Sequence, residues 1–156
     1  MAKKSKSTMG WFFGFKLHLL INDQGEIMAF KVTTGTTDDR IPVDKMTQGL
    51  TGKLFGDRGY ISQELFDKLY QRGLQLVTRI KKSMKNKLIL LVDKLLLRKR
   101  AIIESVNDQL KNISQIEHTR HRSVTNFMVN LVAGLVAYSL QPKKPSLNLH
   151  PQLVIS

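Results

Sequence analysis

The fold class this sequence predicts is α/β, a mixed sheet sandwiched between helices. Three observations predict it. Runs of aromatic and branched residues alternate with amphipathic stretches, Gly, Asn, Asp and Pro mark the joints between them, and there is no internal repeat or low-complexity tract. At 156 residues, 42% apolar and 24% charged, the chain has the size and balance of one globular domain with a sizeable core.

Each element has a local cause. Residues 1–9, MAKKSKSTM, read as a basic flexible tail. WFFGFKLHLLI from Trp11 reads as a strand, Asn22-Asp23-Gln24-Gly25 as a turn, and EIMAFKVTT as the returning strand of a hairpin. Residues 35–40, GTTDDR, form a loop. After Pro42, VDKMTQGL is a short helix closed by Gly49 or Gly52. KLFGD is a brief strand. Ser62 then caps a helix, QELFDKLYQR, that runs to Gly73, with Glu64 favourable to the dipole of its first turn. LQLVTRI makes another strand, and KKSMKNK a lysine-rich connector. Helical patterns follow over about 88–112 and 123–140, and an aperiodic tail begins at Pro142. The expected order is β-β-α-β-α-β-α-α. Residues 10–141 form one domain between a tail at 1–9 and a tail at 142–156.

Composition narrows the function classes. The formal net charge is +13, which draws a chain to polyanions, nucleic acid first among them. Membrane surfaces and ribosomal RNA are alternatives that composition alone does not separate. Position adds more. Arg79, Lys81, Lys82, Lys85, Lys87, Lys94, Arg98, Lys99 and Arg100 crowd one segment, and Arg120 and Arg122 follow. The absence of cysteine excludes disulfides and thiolate metal sites. No apolar h-region follows the basic N-terminus, so it is not a secretory signal, and the run from Phe127 to Leu140 is too short to span a bilayer. The chain reads as cytoplasmic, with no membrane partner.

Two stretches could carry chemistry. In the segment from Leu95 to Lys111, at roughly 100° per residue, Arg100, Glu104, Asn107 and Lys111 fall on one side of a helix. Leu95, Leu96, Ile102, Ile103, Val106, Leu110 and Ile113 form an adjoining core-facing stripe. Alone, this is equally a basic surface helix with an ordinary i, i+4 ion pair. The second stretch is GDRGY, where Asp57 ends a strand between two small residues. That arrangement suits a divalent cation and a phosphate, and it also suits a plain Asx turn. His18, His118 and His121 lack the companions of a zinc site. Trp11, Phe12, Phe13 and Phe15 sit at strand spacing and read as core rather than as base-stacking platforms.

Taken together, the two stretches resemble a known family. GDRGY is similar to the second-aspartate motif of bacterial DDE transposases of the IS4-like superfamily, closest to the IS982 group. Arg100, Glu104 and Lys111 match that superfamily's Y-x2-R-x3-E-x6-K signature, with Leu97 at the tyrosine place. GWFFGFKLHLLIND resembles the family's second strand, and RIPVDK its loop-to-helix segment. DKLLLRKRAIIESVNDQLKNISQIEHTRHRS and NFMVNLVAGLVAYSLQPKKPSL resemble its C-terminal end. The resemblance covers about residues 10–147. It implies an RNase H-like three-layer fold and DNA transposition at insertion-sequence ends, through two Mg²⁺ ions held by an Asp-Asp-Glu triad. Asp57 and Glu104 would be the second and third ligands. Arg100 and Lys111, with Lys99 and Arg98 beside them, would contact the DNA backbone. Tyr60 would be a packing residue.

The beginning of the chain departs from that pattern. The family's first aspartate lies on a strand upstream of the GFKLH segment, and here MAKKSKSTM holds no Asp or Glu. Asp23, Asp38 and Asp39 lie in a turn and a loop and are poor substitutes. The expectation is therefore an N-terminally truncated transposase without its first, central strand or its N-terminal DNA-recognition region. Such a chain would be inactive alone and nucleoid-associated. The alternative reading is a non-catalytic DNA-binding remnant, or one that joins full-length transposase subunits as an inhibitor.

Overall fold

In a computed structural model, the structure describes residues 3–7, 10–78, 93, 96–97, 101–114, 116 and 123–147, and for residues 3–13 the backbone alone. The described strands are β1 (Lys3–Ser7), β2 (Gly10–Ile21), β3 (Ile27–Thr34), β4 (Gly52–Gly56) and β5 (Leu74–Thr78). The helices are α1 (Val43–Met46), α2 (Gln63–Tyr70), α3 (Ile102–Asn112) and α4 (Val124–Ser139). This is a mixed α/β architecture, and it divides into two compact units. The first comprises Met1–Leu20 and Met28–Arg98, the second Ile21–Ile27 and Lys99–Ser156. Nothing in the sequence marks that division.

Within the first unit, β1, β2 and β3 form one sheet in that order. β1 pairs antiparallel with β2, from Lys3 opposite Gly14 to Ser7 opposite Gly10. The sequence reading expects a tail here, and the structure corrects it. Low apolarity hides the strand, because a strand at a sheet edge can be built from lysine and serine once a neighbour supplies its hydrogen bonds.

β4 and β5 form a parallel pair, with Leu54 opposite Leu76 and Phe55 opposite Val77. Parallel neighbours need a crossover connection, and α2 supplies it. Ser62 caps α2, its Oγ accepting from the Leu65 N–H at 3.3 Å, and Gly73 ends the connection at φ +77°, a conformation only glycine takes freely. Leu65 and Leu69 of α2 bury against Leu74 and Leu76 of β5, and Leu54, Val43 and Phe66 pack on the same cluster. Side chains alternate along a strand, so Leu54 faces α2 while Lys53 and Phe55 face away from it.

The second unit has its own core. Val106 and Leu110 of α3 are fully enclosed, with Leu131, Gly134, Leu135 and Tyr138 of α4. A Cβ on Gly134 would stand 2.6 Å from the Ile116 side chain, so the close approach there requires glycine. The Tyr138 hydroxyl donates to the Gly25 carbonyl at 2.7 Å, tying the hairpin tip to α4. The expected core stripe is realised in part. Ile102 and Ile103 are half-buried, and Ile113 is 66% exposed, because α3 ends at Asn112 and Ile113 lies past its last turn. The helix expected over 88–112 is described at 93, 96, 97 and from Ile102 onward. Leu97, at the tyrosine place, is buried.

Candidate active site

Asp57 follows the last residue of β4 with extended backbone, φ −81° and ψ −176°. The strand alternation therefore continues through it, and its side chain leaves on the face shared by Lys53 and Phe55. Its Oδ1 accepts from the Gly59 N–H at 2.8 Å, closing an Asx turn that starts the one-turn 3₁₀ helix Arg58–Tyr60. The turn reading of this motif is thus realised, yet among the described residues it occupies one oxygen only. The side chain is exposed at the carboxyl end of a parallel strand, where open α/β sheets place their ligands. Gly56 leaves room for Tyr60: a Cβ there would meet the ring at 3.3 Å. Burial raises the Tyr60 phenol above its ordinary range, and the Asp39 and Asp57 carboxylates push the same way, so Tyr60 stays a neutral packing group.

Glu104 lies in the first turn of α3, in the second unit, and is exposed. Its backbone N–H bonds to the Ala101 carbonyl at 2.9 Å, and no hydrogen bond to its carboxylate is found among the described residues. A carboxylate in the first turn of a helix sits favourably against the helix dipole. Lys111 is exposed in the last turn of the same helix. Arg98, Lys99 and Arg100 lie outside the described residues, as do Arg79–Lys87, His118, His121, Arg120 and Arg122.

The remaining expected candidates resolve into structural partners. His18 is buried, with Nε2 2.7 Å from the Thr33 hydroxyl. Burial lowers its basicity, the nearby Lys16 and Lys31 lower it further, and Asp39 opposes them. Asp38 forms a two-pronged pair with Arg40 and also accepts from the Arg40 N–H, which holds its carboxyl well below the usual carboxylate range. Lys16 donates to Asp39 at 3.1 Å and to the Thr37 carbonyl at 2.9 Å. Both loop acids are therefore taken by cations. Asp23 lies in the hairpin turn, where its carbonyl accepts from Leu147.

Among the charged pairs that sequence reasoning missed, one holds a buried acid. Lys53 Nζ donates to Asp93 Oδ1 at 2.7 Å, and the Asp93 side chain is 6% exposed. The signal was present: Asp93 is the lone acid in the apolar run LILLVDKLLL.

Against this geometry, residues 1–124 match the family described as the transposase DDE domain. The chain belongs to that family. No curated protein and no solved structure gives a significant match. Membership implies DNA as the partner and divalent-metal chemistry. The donor chemistry fits: Asp57 and Glu104 offer exposed carboxylate oxygens, the hard ligands that Mg²⁺ takes. Their number is the constraint, since among the described residues no three His, Asp or Glu side chains gather to hold a metal ion. No described helix is long and apolar enough to cross a membrane.

Proposed function

We propose that this transposase DDE domain acts on insertion-sequence ends in the manner of the IS4-like superfamily, closest to its IS982 group, with an RNase H-like arrangement of its sheet. The observation that carries the reading is Asp57, exposed at the carboxyl end of a parallel strand with one oxygen fixed by Gly59 and no hydrogen bond on the other among the described residues. Asp57 and Glu104 are the two carboxylates this chain contributes to Mg²⁺. Bound there, Mg²⁺ supplies the positive charge that activates an attacking oxygen and steadies a leaving one. Arg100 and Lys111, with Arg98 and Lys99, hold the DNA backbone through its phosphates without reading sequence. The setting is the bacterial cytoplasm, at the nucleoid.

Residues 1–22 contain no carboxylate, and β1, next to β2 in the sheet, carries Lys3, Lys4 and Lys6. A paired-metal site needs a third acid, so the 156-residue chain alone binds DNA ends but does not cut them. That same basic β1 favours a second reading, a non-catalytic DNA-binding remnant that occupies transposon ends or joins full-length transposase subunits as an inhibitor. One assay separates the readings: purified chain with Mg²⁺ and insertion-end DNA, alone and with a segment carrying the family's first aspartate. The first reading predicts nicking only when the segment is added. Binding without nicking in both arms supports the remnant, and nicking by the chain alone refutes the need for a third acid.

A further inference from the structure

Lys16, Asp39, Asp57 and Tyr60 all belong to the first unit. The Lys16 ammonium, on β2, donates to the Thr37 carbonyl at 2.9 Å and to Asp39 Oδ1 at 3.1 Å, both in the loop that follows β3. The two acids of that loop are used differently. Asp38 turns back on Arg40 two residues away, whereas Asp39 reaches across twenty-three residues to β2. The start of the loop is seated without Asp39: the Gly35 N–H donates to the Gly14 carbonyl at 3.2 Å, and the Thr34 and Thr37 hydroxyls lie 3.0 Å apart. The Asp39 and Asp57 carboxylates both bear on the Tyr60 phenol, so the Lys16–Asp39 pair borders the Asp57 site.

The pair is built to be exchanged. Its side chains are 32% and 53% exposed, and an ion pair that well hydrated holds only weakly. An ammonium has three N–H donors, and among the described residues two are used. A phosphate answers a lysine's point charge at least as well as a carboxylate does. A DNA strand carries a phosphate at every nucleotide, so a strand held at Asp57 lays further phosphates along its flanks.

We propose that Lys16 is a further contact to the DNA backbone, covered in the free chain by Asp39, which a phosphate displaces. The proposal rests on the reading of Asp57 as the place where the phosphodiester is engaged. Asp39 thereby acts as a built-in competitor: it keeps the ammonium paired until DNA arrives, and it sets how tightly DNA is held.

Fluorescence anisotropy with a labelled DNA duplex of arbitrary sequence, over a series of salt concentrations, tests this on the full chain. Lys16→Gln should weaken binding at least about threefold and lower the slope of log Kd against log salt by about 0.9, the loss of one phosphate contact. Asp39→Asn should tighten binding by a similar factor, a gain that loss of folding does not produce. In the Lys16→Gln background Asp39→Asn should do nothing, whereas a general effect of removing one negative charge would persist there. Should Lys16→Gln fail to fold, Lys16→Met, which keeps the aliphatic stem, takes its place. Unchanged affinity and slope without the ammonium, or a gain from Asp39→Asn that survives its removal, overturns the proposal. Mn²⁺ titration of the unaltered chain and of Asp57→Asn tests the underlying reading separately. Mn²⁺ binding that ignores Asp57, with DNA affinity that still follows Lys16, refutes the Asp57 metal site and leaves the phosphate contact standing.

Discussion

The two candidate carboxylates stand in different physical settings. Asp57 is prepared by its surroundings: a strand aims it, an Asx turn fixes one oxygen, and Gly56 admits the Tyr60 ring beside it. Glu104 is an exposed side chain on the first turn of a helix, with no described hydrogen bond to its carboxylate. One is held by local turn chemistry; the other is placed only as well as its helix is placed. Damage near Asp57 should therefore act locally, whereas Glu104 should be sensitive to anything that shifts α3.

The strongest way to break this contrast is in the cores beneath the two residues. Leu69→Ala under β5 and Leu110→Ala under α3 should each cost about 2–5 kcal/mol, since both side chains are fully enclosed. Chemical denaturation measures the loss, and Leu110→Ala should also disturb the amide signal of Glu104 while Leu69→Ala leaves it in place. Next in size, Tyr138→Phe strands the Gly25 carbonyl and should cost about 1–3 kcal/mol by the same measurement. Smaller and more telling, Asp57→Ala removes the turn acceptor and should cost about 0.5–2 kcal/mol. Glu104→Ala should be nearly neutral, because the lost dipole term of about 0.3–1 kcal/mol is offset by alanine's helix propensity. Equal costs at the two positions would erase the distinction.

The smallest effect is expected from pH. Burial lowers the His18 pKa below its ordinary 6.5, so the unfolded chain takes up a proton at a higher pH than the folded one does. Stability should be full above about 6.5 and fall as pH drops below it toward the folded value. His18→Gln should flatten that part of a stability–pH curve.

Much of this architecture was legible from local signals. Alternation, turn residues and caps place β2 through β5 and α1, α2 and α4, because each of these is specified within its own few residues: Ser62 caps, Gly73 turns, Pro42 starts. What was not legible depended on partners distant in sequence. β1 is polar and becomes a strand only through β2. The Lys53–Asp93 pair joins residues forty positions apart. Ile113 fits the helical period but falls beyond the helix end, where periodicity no longer dictates burial. The division into two units leaves no composition shift, since its boundary at Arg98 falls inside a continuous basic, apolar run. The GDRGY and R-x3-E-x6-K motifs pointed to the family that residues 1–124 match.

The central proposal is that Asp57 and Glu104 are both metal ligands. Mn²⁺ titration followed by electron resonance tests it most directly, on the unaltered chain, Asp57→Asn and Glu104→Gln; asparagine keeps an oxygen to accept from Gly59, so the turn survives. The prediction is one weak site in the unaltered chain, weakened at least about tenfold by each substitution, a loss of about 1.4 kcal/mol or more. A site that Asp57→Asn abolishes and Glu104→Gln leaves untouched would contradict it.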